Sequence, residues 1–153
     1  MSFYSIWLIL EQDSRARYRD LIIRLSRKLK TPVFDPHCTL YGRLNIDIDK
    51  IKPIVSDLVS TKDQFSTSIK RLKTGKTKWK SLYLPLDNNE NLSYLYGTCK
   101  NKFSYARRYT FDPHISLAYG IFDPETVHYA TKNLTIPEYL AFSGIAVVKT
   151  GDD

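Results

Sequence analysis

The chain has 153 residues, 42% of them hydrophobic and 13% aromatic, enough apolar material for one buried core but not for two independent ones. Twenty-three Lys and Arg against 16 Asp and Glu leave a formal charge of +7, which favours a polyanionic partner. Two cysteines, Cys38 and Cys99, exclude a disulfide framework and a cysteine-based zinc site.

Phe3 to Leu10 is apolar but too short to cross a bilayer and lacks the basic leader of a secretory signal, so a buried strand of a cytoplasmic protein is expected, with no membrane partner. From Ser14 the period changes. Tyr18, Leu21, Ile22, Leu25 and Leu29 recur at three and four residues among Arg and Lys, predicting an amphipathic helix that ends before Thr31-Pro32. A strand from about His37 to Leu44 follows. Ile51, Ile54, Val55 and Leu58 then mark a second helix, capped by Asp47 or Asp49, with Pro53 tolerated near its first turn. Residues 65–72 and 79–86 read as two strands joined by a turn at Thr74-Gly75-Lys76. A third helix begins near Asn89 and continues to Tyr105, with Leu92, Leu95, Tyr96, Cys99 and Phe103 on one face. Asp123-Pro124-Glu125 opens a short fourth helix, with Asp as N-cap and Pro at the first helical position. Extended segments at 134–136 and 139–148 close the chain.

One stretch occurs twice, as Phe34-Asp35-Pro36-His37-Cys38-Thr39-Leu40 and as Phe111-Asp112-Pro113-His114-Ile115-Ser116-Leu117. In an extended strand the His and the hydroxyl residue, two apart, share one face while the residue between them points to the other. Cys38 is therefore expected as a packed thiol rather than a nucleophile. Two such strands side by side would bring two imidazoles and two hydroxyls to one cleft, an arrangement suited to holding a phosphate between a proton donor and a proton acceptor. Leu8 precedes His37 by the same interval, about thirty residues, that separates Pro85 from His114. Strand, helix, motif strand thus recurs, predicting a single bilobal domain over 1–153 built from duplicated βαβ-type units, with halves 1–75 and 76–153. Phe122-Asp123-Pro124 repeats the triplet without a His, so the triplet alone is turn or cap chemistry.

The two His-x-Thr/Ser-Leu motifs resemble the signature of the two-histidine phosphoesterase superfamily. Their Phe-Asp-Pro-His context, the small size of the chain and the segment Trp79-Lys80-Ser81-Leu82-Tyr83-Leu84 look most like its cyclic phosphodiesterase branch. The resemblance implies a bilobal α+β fold with two sheets around a central cleft and helices outside. It also implies hydrolysis of a nucleoside 2′,3′-cyclic phosphate, or of ADP-ribose 1″,2″-cyclic phosphate, without metal or cofactor. Opening such a ring requires an activated water, an acid for the departing ribose oxygen and donors for the phosphoryl oxygens. His37 and His114 can serve as acid and base because an ordinary pKa of about 6.5 keeps both forms accessible. Thr39 and Ser116 supply the donors. Tyr119 stands three residues after Ser116, where the family motif often carries a Tyr. On that likeness it positions the water beside His114, making His114 the base and His37 the acid, with a 2′-phosphate as product.

Trp79 is either a platform for a nucleobase or a core residue at the start of a strand. The lysines from Lys70 to Lys80 either steer an anion or protect a hairpin edge. Asp35 and Asp112 read as turn residues and His128 as a surface residue; no third ligand stands at metal-binding spacing. A monomer acting on a small cyclic nucleotide is the leading expectation. RNA ends or 2′,5′-linked oligonucleotides, as in RNA 2′,5′-ligase-like enzymes, are an alternative, and a catalytically silent RNA-binding module is another.

Overall fold

The computed structural model describes residues 2–150. In chain order the elements are β1 (Phe3–Leu10), α1 (Gln12–Leu29), β2 (His37–Leu44), α2 (Lys52–Thr61), β3 (Phe65–Ser68), β4 (Lys73–Thr77), β5 (Lys80–Pro85), α3 (Glu90–Phe103), β6 (His114–Ala118), α4 (Pro124–Thr131) and β7 (Tyr139–Thr150). The strands form two antiparallel sheets, one ordered β2-β1-β7-β3 and the other β4-β5-β6. The fold is α+β, as expected.

Alternation explains how β1 serves two sides. Ile6, Leu8 and Leu10 are buried in the core, while Trp7 and Ile9 stand half-buried on the opposite face. The strand is therefore not wholly immersed. On α1 the three-and-four spacing buries Tyr18, Leu21, Ile22 and Leu25, and Glu11 caps its start by accepting a 2.7 Å bond from the Ser14 N–H. Asp47, of the two candidate caps, holds the 3-10 turn Ile48–Lys50 that leads into α2. α1 packs on β6 and β7, whereas α3 packs on β2. Each long helix therefore leans on the other half's motif strand, and Tyr18, Tyr41, Phe103 and Phe142 fill one shared core. Losing one of those two phenylalanines to Ala would cost about 3–5 kcal/mol.

The strand after each long helix runs antiparallel to the strand before it, so the order of elements is β-α-β without a parallel crossover. The chain achieves this by doubling back: residues 31–36 form no regular element and can span roughly 20 Å, returning the chain along α1 before β2 begins. Arg15 and Arg19, in the first half of α1, hold that return segment through Asp35.

The expected hairpin of 65–72 with 79–86 is not formed. β3 pairs with β7 in the first sheet, and the hairpin partner of β5 is β4, across a two-residue turn at Lys78-Trp79. Gly75 lies inside a strand, at a register shift, because a Cβ there would stand 1.8 Å from the Lys80 carbonyl oxygen. The glycine admits a backbone rather than making a turn. Residues 134–136, expected as extended strand, pair with no sheet. No helix among the described residues is long and apolar enough to cross a membrane.

Candidate active site

β2 and β6 lie against each other, one from each sheet. The pleat turns Cys38, Leu40, Ile115 and Leu117 into the core, all fully buried. It turns His37, Thr39, His114 and Ser116 toward a cavity of about 480 Å³ that all four line. The expected convergence of both motifs is present in the geometry.

The Asp-Pro pair before each His has a purpose the sequence reading missed. Nδ1 of His37 donates to the Asp35 carbonyl at 2.8 Å, and Nδ1 of His114 to the Asp112 carbonyl at 2.6 Å. A carbonyl only accepts, so both Nδ1 atoms carry hydrogen and each ring has only Nε2 left for proton exchange. Pro36 and Pro113 limit the intervening backbone. The Asp side chains are fixed as well: Asp35 by Arg15 at 2.9 Å and Arg19 at 3.2 Å, Asp112 by Lys80.

Burial pushes both imidazole pKa values below their ordinary position, because a cation in the cleft loses water. The bonds to the two carbonyls oppose this. For His37 the proximity of His114 depresses the cation further and Asp35 favours it; for His114, Asp112 favours the cation and Lys80 opposes it. A phosphate between the rings would favour protonating one of them, since it neutralises the charge that burial penalises.

Tyr119 lines the cavity between Phe34, at 4.4 Å between ring centroids, and Trp79, at 5.4 Å edge-on. Burial raises its phenol pKa and the nearby Ser116 hydroxyl pulls it back, so it remains a phenol able to donate. Trp79 neither opens β5 nor covers core. It sits in the β4–β5 turn, 49% exposed, at the mouth of the cleft, with the Lys78 ammonium 4.6 Å from its ring centroid. Thus all six candidate side chains share one cleft.

Arg107 also lines it, as do Trp7 and Phe34, which were not among the candidates. The signal for Trp7 was available, since it is out of phase with Ile6, Leu8 and Leu10. Arg107 is exposed but anchored, its Nη1 donating to the Gly42 carbonyl at 2.8 Å. His128 lies elsewhere, in a hollow of about 590 Å³ beside α4 and β4 that contains neither motif. Cys38 is an inert packed thiol, its pKa pushed up to about 12 by burial. Among the described residues no cluster of His, Cys, Asp or Glu could hold a metal ion.

Paired His-x-hydroxyl strands from two antiparallel sheets, facing one cleft, are the layout of the two-histidine phosphoesterase superfamily. Residues 1–134 match the family described as cyclic phosphodiesterase-like protein, and the chain belongs to that family. A cyclic phosphodiesterase of Arabidopsis thaliana is 24% identical over 117 residues, a match covering 76% of this chain and 65% of that protein. The chain thus spans a little under two thirds of that relative. Among solved structures, E. coli LigT complexed with 3′-AMP superposes with a TM-score of 0.62 at 17% identity, over 99% of this chain and 89% of that one. Its apo form gives 0.65 at 16% identity, over 98% and 88%.

Proposed function

We propose that the protein is a cyclic phosphodiesterase that hydrolyses 2′,3′-cyclic phosphates of nucleosides, ADP-ribose 1″,2″-cyclic phosphate, or both, by acid and base catalysis from two histidines. The observation that carries this reading is the latching of both imidazoles by Nδ1, which leaves two Nε2 atoms and two hydroxyls for one cleft. Family membership and the named activity of the Arabidopsis relative support it. The 3′-AMP bound to LigT supports a small nucleotide as ligand.

In this mechanism the phosphate sits between the rings with its non-bridging oxygens on the Thr39 and Ser116 hydroxyls. His114 takes a proton from a water held by Tyr119, and the water oxygen bonds to phosphorus as the P–O3′ bond breaks. His37 gives its Nε2 proton to O3′, leaving a 2′-phosphate, and solvent restores both rings. Each hydroxyl contributes most if it bonds more strongly to the charge that develops in the transition state than to the ground state. Trp79 offers a face to the base.

A second reading, an RNA end or 2′,5′-linked oligonucleotide as substrate, has one observation in its favour: Arg107 and Lys149 line the same cleft beyond the motifs. The test is an assay with a chelator present, offering the four nucleoside 2′,3′-cyclic phosphates, ADP-ribose 1″,2″-cyclic phosphate and a 2′,5′-linked oligoadenylate. Turnover of a cyclic substrate that is lost in both His37→Ala and His114→Ala is the expected result. Cleavage of the oligonucleotide alone would move the activity to RNA, and turnover that survives both substitutions would refute the mechanism.

A further inference from the structure

In each sheet the motif hydroxyl residue opposes an aromatic residue on the neighbouring strand: Thr39 faces Trp7, and Ser116 faces Tyr83. The His two residues earlier is then a diagonal neighbour of that ring on the same face, within reach of it. The two contacts differ in kind. Trp7 lies flat on His37, centroids 3.5 Å apart and planes 9° from parallel. Tyr83 meets His114 at 5.5 Å and 70°, and the Lys80 ammonium already stands 4.7 Å from the Tyr83 centroid.

An aromatic face attracts a cation, indole most strongly, and a ring facing an ammonium has that capacity engaged. We propose that Trp7 is a positioning residue that favours the protonated form of His37 and thereby makes it the proton donor, while His114, without such a face, is the acceptor. What the proton does rests on the cyclic phosphodiesterase reading; the state of the ring does not. The stack also fixes direction. With Nδ1 tied to the Asp35 carbonyl and one face covered by indole, the ring can neither turn nor tilt freely.

The other charged and titratable groups near His37 are Asp35 ahead of its own strand, Arg15 and Arg19 of α1 on that carboxylate, and His114 of β6. Tyr109, Tyr119, Arg43, Arg107 and Lys149 share its cleft. A substitution at residue 7 leaves the identity of every one of these groups unchanged. Leu at position 7 is smaller than indole and lets more water reach the imidazole, which by itself raises the midpoint, so a fall in Trp7→Leu can come only from the loss of the aromatic face.

The test is an NMR titration of the His37 and His114 ring resonances in the full chain, wild type and Trp7→Leu, which needs no substrate. The His37 midpoint is expected to fall by about half to one pH unit in Trp7→Leu, with His114 moving far less. An unchanged or raised His37 midpoint, or equal falls at both rings, overturns the proposal. If Trp7→Leu does not fold, Trp7→Phe and Trp7→Tyr take its place, with smaller falls expected and the absence of any fall overturning it. In the wild type, the indole ring current should move the His37 ring protons upfield, and ordinary positions for them would contradict the stack. With adenosine 2′,3′-cyclic phosphate, a donor must be protonated, so the alkaline limb of the kcat/KM profile should move to lower pH with the His37 midpoint. Movement of the acid limb instead overturns the donor assignment. Failure of the wild type to turn over any cyclic phosphate would count against the reaction, while the titration still decides the state of His37.

Discussion

Replacing Thr39 with Val removes one hydroxyl and keeps the shape of the side chain. Thr39 is half-buried in the middle of β2, opposite Trp7, and its methyl group lies 3.6 Å from where a side chain on Gly42 would begin. Val preserves that packing, and folding stability should change by less than about 0.5 kcal/mol. The reaction should suffer much more. Loss of one donor to a developing oxyanion lowers kcat by about 10² to 10³, or about 2.7–4 kcal/mol. The cleft opens to solvent on one side and water can partly replace the missing hydroxyl, which places the expectation near the lower figure. Steady-state kinetics on nucleoside 2′,3′-cyclic phosphates, with kcat and KM resolved, provides the measurement. A kcat within about threefold of wild type, or a rise confined to KM, would show that the hydroxyl merely binds the ground state and would refute the role given to it.

Gly75→Ala forces a Cβ to within 1.8 Å of the Lys80 carbonyl, so the β4–β5 hairpin must shift. A loss of about 1–3 kcal/mol is expected in urea unfolding with an unchanged m-value, and a wild-type midpoint would contradict the tight approach. Cys38 and Cys99 are buried, with thiols pushed up to about 12, so native protein near pH 8 should resist alkylation until it unfolds. Mass spectrometry checks this, and rapid labelling of folded protein would refute it. Because both motif imidazoles lie below their ordinary 6.5 when folded, the unfolded chain binds more protons in that interval. Stability should therefore be full above about pH 6.5 and decline as pH falls through the folded values. A His37→Gln, His114→Gln double variant should lose less urea resistance than wild type between about pH 7.5 and 5.5, and an equal loss would contradict the shifts.

Local signals gave the helices and the motif strands because the information there is short-range. The spacing of Tyr18, Leu21, Ile22 and Leu25 has only one amphipathic solution, and Asp123-Pro124 marks a helix start by its own chemistry. Pairing was less legible. Phe65 and Ser68 find partners in β7, more than seventy residues later by sequence number, and nothing near them announces it. Gly75 read as a turn because a close approach between backbones looks the same in sequence as a need for unusual dihedrals. At the site, His37, Thr39, His114 and Ser116 were visible through repetition. Alternation set Trp7 off the core face, but its contact with His37 was hidden because it depends on strand register, and the Asp35 and Asp112 carbonyls were hidden because main-chain acceptors leave no trace in residue identity.

Where the chain passes from one sheet to the other, main-chain bonds stitch the two together: Ile69 N–H to the Glu138 carbonyl, Lys70 N–H to the Pro85 carbonyl, and Asp87 N–H to the Ser68 carbonyl. The sheets are thus bound like the leaves of a book along one edge. His114 pairs with Pro85 on that binding, and His37 pairs with Ile9 toward the same end of β1. Trp79 lies six residues from Pro85, roughly 20 Å along an extended chain. The two imidazoles therefore sit beside the main-chain bonds that join the sheets, and the aromatic mouth stands at a distance from them. On the cyclic phosphodiesterase reading, the distance across which protons are passed is then set by the backbone, while the nucleotide meets side chains that can differ without disturbing it.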